Sequence, residues 1–502
     1  MSRLHQWPLP GARAHFGQPK NAQSQYYTCT YTTAEYDLAM ASTPARPAFQ
    51  VQPPFLGRER ELAFLQELAE TGRPELFVLY GRRRVGKTEL LQQFCSGRKA
   101  VYFLAAQVRD RDNLRAFRAA IASELGDTLA GDVEFPDWSA ALGFLAERAA
   151  GERLVVVLDE FPYLCEAQKS VPSQLQRFWD TRGKHSSLML VLCGSQVSFM
   201  ENEVLAERSP LFGRRTAQRR LEPLRPLETL PFFPHWKLEE RVLGYSVLGG
   251  MPAYLRRFDS KRPLRDNLLR DVLRPEGFLF DEVQFLLRSE LSNPATYNSL
   301  LAAIARGASK LNDIATDVGV DSTTANKYLH TLRELRLVER EVPLTDPDPL
   351  RSRRGSYRIA DRFLQFHYRH LQPHLSLIHA GRGQRVLEQF IEPDLPRLLD
   401  EATVDFVLDH LRHEAAELVG DELPEIARHP GRYIRAAART STGRPVVAIV
   451  LPDGKLSTAT LQSELATLTA ALGAAPLKLT YGLTSRPDRP LEVERVPDDE
   501  LV

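Results

Sequence analysis

Apolar and polar positions are distributed unevenly along the chain. Residues 1–50 show no sustained helical or strand period and lack the basic-then-apolar order of a signal peptide. They read as a disordered leader, with Met40 as an alternative start. From Phe55 the pattern is regular: Leu62, Leu65 and Leu68 recur at helical spacing, and Leu76 to Tyr80 is a short apolar run of the kind a buried strand needs. Two more such runs, Leu154 to Leu158 and Leu188 to Cys193, predict further core strands. Residues 225–290 read as short helices forming a lid, in which Gly249 and Gly250 are either a hinge or a helix cap and turn. Residues 297–343 order as helix, short helix, helix and strand, with Asp321 or Ser322 capping the third helix.

Length and charge narrow the classes. With 502 residues and 43% hydrophobic content the chain exceeds one core and suggests about three domains. The net charge of +1 gives no global basic field, so any nucleic-acid contact must come from a local patch. Cys29, Cys95, Cys165 and Cys193 stand far apart without a CxxC pair, which fits a reducing compartment and no structural zinc. No apolar run approaches the ~20 residues that cross a bilayer, and the expected location is cytoplasmic with no membrane contact.

Candidate chemistry begins after the first strand. Gly81, Gly86, Lys87 and Thr88 match GxxxxGK[ST], between a predicted strand and a predicted helix. The two glycines let successive N–H groups approach phosphate oxygens, and the following helix adds its positive end. The ATP-binding stretch is thus Gly81, Arg82, Arg83, Arg84, Val85, Gly86, Lys87, Thr88 and Glu89, with Lys87 reaching the β and γ phosphates and Thr88 ligating Mg²⁺. The Arg82, Arg83 and Arg84 side chains are expected to point away and take no catalytic part. Asp159 and Glu160 end the second apolar run, at the strand edge where ligands sit in open α/β sheets. Asp159 would hold Mg²⁺ through water, and Glu160 would act as the base toward the attacking water. Ser195 and Gln196 end the third strand near a γ-phosphate sensor position; Arg214, or Arg215 beside it, offers a transition-state arginine in cis or across a subunit boundary, against the alternative that both face solvent.

Taken in order, "FLGRERELAFL", "LYGRRRVGKTELL", "LDEFPYL", "LCGSQVSFME", "SPLFGRRT" and "GGMPAYL" resemble the signatures of the archaeal-type ATPases, P-loop proteins grouped near the STAND and AAA+ ATPases and akin to origin-recognition ATPases. The resemblance implies an α/β P-loop core with a parallel five-stranded sheet whose phosphate-loop strand is central, then a helical lid and a winged helix. It carries the roles of Lys87, Thr88, Asp159 and Glu160 over directly. In many family members the tail resembles a PD-(D/E)XK nuclease. Here Glu388 is the candidate first acid, Arg435 stands where an aspartate is expected, and Asp453 and Lys455 lie beyond the strand that should carry Glu-x-Lys. The tail therefore reads as a degenerate, inactive α/β nuclease-like domain of binding or structural use.

The third helix of the winged-helix segment offers Thr323, Thr324, Asn326, Lys327 and His330, and the wing carries Arg351, Arg353 and Arg354. DNA contact through Lys327 and the wing arginines stands beside a second reading, an intramolecular clamp or protein dock. His367, His370 and His374 lack acidic or thiol companions and read as a solvated helix face. The expected organisation is 1–50 leader, 51–224 ATPase core, 225–290 lid, 291–356 winged helix and 357–502 nuclease-like domain. The expected function is a Mg²⁺-dependent ATPase acting as a switch, with a protein partner or a second copy as further partners. Two alternatives are a regulator that binds ATP with little hydrolysis and an ATP-controlled nuclease.

Overall fold

The computed structural model describes residues 55–126, 133–149, 151–291, 293–346, 348, 351–352, 354–450, 457–484 and 490–497. The leader with Met40, and Arg353, Asp453 and Lys455, lie outside the described residues.

The first helix, α1 (Glu59–Glu70), precedes β1 (Glu75–Tyr80) and α2 (Lys87–Cys95). Then come β2 (Ala100–Leu104), α3 (Asp110–Leu125), α4 (Trp138–Arg148), β3 (Leu154–Asp159), α5 (Phe161–Ala167), α6 (Val171–Thr181), β4 (Leu188–Gly194) and β5 (Ala217–Arg220). These strands form a sheet in the order β2-β3-β4-β1-β5, and every neighbouring pair is parallel. All residues of β1, β3 and β4 are buried, which explains their unbroken apolar runs; β2, at one edge, alternates instead. The expected parallel sheet is present, with one correction. The central strand is β4, and β1 lies between β4 and β5. Because all five strands are parallel, the ends of β1, β3 and β4 share one edge, and the loops that follow them converge there.

The lid contains α7 (Leu238–Leu248), α8 (Leu264–Asp271) and α9 (Glu282–Glu290). Gly249, at φ +64°, caps α7, and a Cβ on Gly250 would strike the Leu224 carbonyl oxygen, so this pair is a cap and a close approach. Next come α10 (Pro294–Ala305), α11 (Leu311–Val318) and α12 (Ser322–Glu334), followed by the antiparallel pair β6 (Val338–Glu341) and β7 (Ser356–Ile359). Asp321 caps α12 by accepting from Thr324 N at 2.9 Å.

After β7 come α13 (Arg362–Phe366) and the long α14 (Leu395–His413), then β8 (Glu425–Arg428), β9 (Ile434–Arg439), β10 (Pro445–Val450), α15 (Thr458–Leu472), β11 (Leu477–Leu483) and β12 (Leu491–Val496). This second sheet runs β12-β11-β10-β9-β8, with β10 and β11 parallel and the other pairs antiparallel. Phe406 and Val407 of α14 share a cluster with Ala436 and Ala438, whereas Leu461 and Leu468 of α15 meet Ala437 and Val447, so one helix covers each face. Leu344 of the wing packs into the α15 cluster.

Two expectations for this half fail. Glu388 is not on the helix that covers the sheet. It precedes α14, is exposed, and accepts from Arg265 of the lid at 2.8 Å. His367 and His370 are buried, at 1% and 3% exposure, because the surrounding Phe366, Tyr368 and Leu371 are core residues and the segment has no solvated face. His374 is half-buried and stacks on Phe390. Among the described residues no helix is long and apolar enough to cross a membrane.

Candidate functional site

The loop between β1 and α2 takes its shape from three left-handed or extreme positions. Gly81 has φ +155°, and a Cβ there would strike the Leu221 carbonyl oxygen; Gly86 has φ +95° at the N-cap of α2; Arg84 is a non-glycine residue at φ +66°. Lys87, 5% exposed, donates its Nζ to the carbonyls of Gly81 at 2.8 Å and Arg82 at 3.0 Å. Burial pushes its ammonium pKa down from the ordinary lysine value. An ammonium has three donors, so one remains for an anion.

Thr88, one residue on, turns to the end of β3. Its Oγ1 donates to Asp159 Oδ2 at 2.8 Å, and Tyr102 of β2 donates its hydroxyl to the same oxygen at 2.5 Å. Asp159 Oδ1 accepts from the Glu160 N–H at 2.9 Å. Three donors on one carboxylate, itself 1% exposed, fix its rotamer. Glu160 sits at φ +53°, ψ +44°, a conformation that non-glycine residues seldom adopt, and caps α5; its Oε2 accepts from Ser195 Oγ at 2.8 Å. The structure therefore brings Lys87, Thr88, Asp159, Glu160 and Ser195 together at the C-terminal edge of the parallel sheet. Gln196 turns away and donates to Glu166 at 3.1 Å.

The loop arginines are not free of contacts. Arg82 is 5% exposed and ion-paired to Asp361 Oδ2 at 2.8 Å, just before α13. Arg84 pairs with Glu282 of α9 at 2.5 Å and lies 4.4 Å from the Phe278 ring centroid. Arg83 reaches the Tyr163 hydroxyl at 3.4 Å. Two of these side chains tie the loop to the lid and to the segment after the wing, partners that the sequence did not indicate. Glu89 is engaged by both terminal nitrogens of Arg256, at 2.7 and 2.5 Å. The Val85 carbonyl accepts from buried Arg58 at 2.9 Å, which also holds the Glu222 carbonyl at 2.7 Å.

Arg214 lies two residues before Thr216, whose N–H bonds Leu76 O at the start of β1. That is the edge of the sheet opposite the phosphate loop, roughly 17 to 20 Å away along a six-residue strand. A cis role on this chain's own loop is thereby ruled out. Its guanidinium is committed to Asp180, with Nε at 2.9 Å from Oδ1 and Nη2 at 2.8 Å from Oδ2. Arg215 donates to the Leu205 carbonyl at 3.1 Å.

On α12, Thr323, Asn326, Lys327 and His330 are exposed on one face, while Thr324 bonds back to Asp321 at 2.6 Å. Arg351 and Arg354 are exposed; Lys310 donates to the Arg354 carbonyl at 2.7 Å. The strands at the base of the wing are not independent of the second sheet: Arg428 of β8 pairs with Glu341 at 2.9 Å and with Asp405 of α14, and Asp405 also pairs with Arg362. Arg435, where an acid was sought, pairs with Asp400 at 2.7 Å. Among the described residues no group of three or more His, Cys, Asp or Glu could hold a metal ion.

Tyr102, Arg58 and Asp361 were missed in the sequence. Arg58 stands in the "FLGRE" signature, which offered a signal; Tyr102 and Asp361 carry none, since nothing local marks their partners.

Residues 55–258 match the family described as an ATPase domain predominantly from Archaea, and residues 299–342 match the IclR helix-turn-helix domain. An uncharacterized protein of Methanocaldococcus jannaschii, MJECL04, is 36% identical over 327 residues, covering 65% of this chain and 71% of that protein. A second, the uncharacterized ATP-binding protein MJ0423 of the same organism, is 44% identical over 45 residues, which is 9% of this chain and 76% of that protein. Among solved structures, the Walker-type ATPase PABY2304 of Pyrococcus abyssi aligns with 19% identity and a TM-score of 0.45, over 64% of this chain and 99% of that one. By the family match over residues 55–258 and the relative that is 36% identical and covered over 71% of its length, the chain belongs to the ATPases found predominantly in Archaea and carries an IclR-type helix-turn-helix behind the ATPase domain.

Proposed function

We propose that this protein binds ATP with Mg²⁺, hydrolyses it, and uses the cycle as a switch over its lid and helix-turn-helix. The observation that carries the reading is the Thr88–Asp159 hydrogen bond with the Glu160–Ser195 hydrogen bond beside it, at the mouth of a glycine-shaped loop. The donor set fits the cation: a threonine hydroxyl and a carboxylate are hard oxygen ligands of the kind Mg²⁺ takes. When bound, Mg²⁺ supplies charge neutralisation on the phosphate oxygens.

The chain's own residues do the rest. The loop amides and the positive end of α2 receive the phosphates, and Lys87 contributes its remaining N–H. Ser195 fixes Glu160 through Oε2, which leaves Oε1 to take a proton from an attacking water. Arg214 enters only as an arginine offered to a neighbouring copy, and only after leaving Asp180. For the switch, the support is that loop residues Arg82 and Arg84 contact elements outside the ATPase sheet. A ligand shifts such a system only through unequal affinity for its states, and these contacts are where inequality can arise.

The exposed α12 face and the match to a helix-turn-helix family favour DNA as the switch's target, through Lys327, Arg351 and Arg354. The second sheet is read as a nuclease-like domain without its acids, with a binding or structural role. ATP binding by the full chain and by Lys87→Ala tests the nucleotide reading, and equal affinities would overturn it. Mobility shifts with duplex DNA across a salt series test the target: Lys327→Ala is expected to weaken binding and flatten the salt slope by about one. An unchanged slope with an Arg351→Ala, Arg354→Ala variant would remove the wing from the account, and no mobility shift with the natural chain would remove DNA. Plasmid cleavage in Mg²⁺ or Mn²⁺ is expected to be absent.

A further inference from the structure

Arg82 does two things at once. Its carbonyl accepts from Lys87 at 3.0 Å, and its side chain, 5% exposed, pairs with Asp361, 279 residues further along the chain, at 2.8 Å. The Nε and Nη2 of Arg82 are buried and have no hydrogen-bond partner among the described residues, so the Asp361 contact is the hydrogen bond that holds the guanidinium. Asp361 divides its oxygens: Oδ2 takes Arg82, and Oδ1 caps α13 by accepting from Leu364 N at 2.9 Å. The next residue, Arg362, is itself 3% exposed and binds Asp405 and, at 2.7 Å, the Glu401 carbonyl, both on α14. A path of polar contacts, joined by the peptide bond between Asp361 and Arg362, therefore runs from Lys87 through Arg82 to the helix that covers the second sheet.

We propose that Arg82 and Asp361 are positioning residues of the ATP site: the junction after the wing holds the phosphate loop in its binding shape, so ATP affinity and the docking of that junction are linked. The inference rests on the ATP reading above. An unpaired arginine buried in this place would pull the loop out of position, since its charge must find water or another acceptor. Linkage is reciprocal, so whatever the junction adds to ATP affinity, ATP adds to the docking of the junction.

Asp361→Asn isolates the charge. Asparagine keeps the cap on Leu364 and the shape, and loses the ion pair. In the full chain, Asp361→Asn and Arg82→Met are each expected to weaken ATP binding about tenfold or more. The double variant should be no weaker than the worse single one, and Asp361→Glu should recover most of the affinity. Hydrogen exchange supplies the readout that a merely structural pair would not move: saturating ATP should slow exchange of the amides of residues 356–366 in the natural chain and leave them unchanged in Asp361→Asn. ATP affinity within about twofold of the natural chain in both single variants, with the same ATP-induced protection, would overturn the proposal. If Asp361→Asn does not fold, Arg82→Lys is read by the same two measurements. A natural chain that binds no ATP removes the ATP reading itself; a natural chain that binds ATP beside unchanged variants removes only this inference.

Discussion

At the scale of single residues, Asp159 is the most constrained group in the site. Thr88, Tyr102 and the Glu160 amide all donate to it, and the Tyr102 hydroxyl, on the neighbouring strand, is the donor that the phosphate-loop pattern does not include. A hydrogen bond to a charged acceptor contributes about 1.5 to 3 kcal/mol, so Tyr102→Phe should raise the Mg²⁺ concentration needed for half-maximal turnover roughly tenfold. Nucleotide binding measured without Mg²⁺ should be unaffected, and an unchanged Mg²⁺ dependence would show that Tyr102 does not orient the carboxylate. The residues with fixed spacing, Gly81, Gly86, Lys87 and Thr88, were legible because phosphate binding demands them in that order. Tyr102 and Asp361 were not, because a strand neighbour and an acid 279 residues from its arginine leave no mark in a linear pattern. The loop arginines illustrate the limit: the sequence turned them away from the phosphates without naming what they meet, and only the folded chain supplies Asp361 and Glu282 as partners of Arg82 and Arg84.

Elements were legible in proportion to their burial. β1, β3 and β4 are buried along their whole length and show continuous apolar runs, and the helix-turn-helix shows its glycine and cap signals. The segment around His367 was misread because period alone placed three histidines on one face, whereas the Phe, Tyr and Leu residues between them bury the whole turn. This burial has a pH consequence. Among the described residues neither nitrogen of His367 has a hydrogen-bond partner, and burial lowers its pKa to about 4 from the ordinary 6.5. The folded form keeps the ring neutral, while below about pH 6.5 the unfolded chain takes up a proton that the fold refuses. The contribution is thus intact above pH 6.5 and is lost as pH falls toward 4, about 3 kcal/mol at most. His370, lowered to about 4 by burial against the pull of Asp394, adds in the same sense. Asp409, raised to about 6 by burial, acts oppositely, because its neutral form returns on acidification. The difference in denaturant stability between the natural chain and His367→Phe isolates the histidine: the natural chain should lose ground to the variant between pH 6.5 and 4, and parallel curves would contradict the assignment.

For the whole molecule, contacts from the phosphate loop reach the lid and the segment after the wing, while the helix-turn-helix meets the ATPase domain through Arg336–Glu222 at 2.7 Å. Arg84 brings in the lid through Glu282, Arg82 brings in the segment after the wing, and the wing in turn packs Leu344 against the second sheet. The second sheet is the part that the sequence described least well, since β8 is short, β12 is half-exposed and the segment after β10 falls outside the described residues. All of this depends on hydrolysis occurring where Lys87, Thr88, Asp159, Glu160 and Ser195 meet. Steady-state phosphate release from ATP, measured with Mg²⁺ on the natural chain and on Glu160→Gln alongside equilibrium ATP binding, tests that most directly. Turnover should fall about a hundredfold or more with ATP affinity retained; phosphate release by Glu160→Gln at the natural rate would contradict the account.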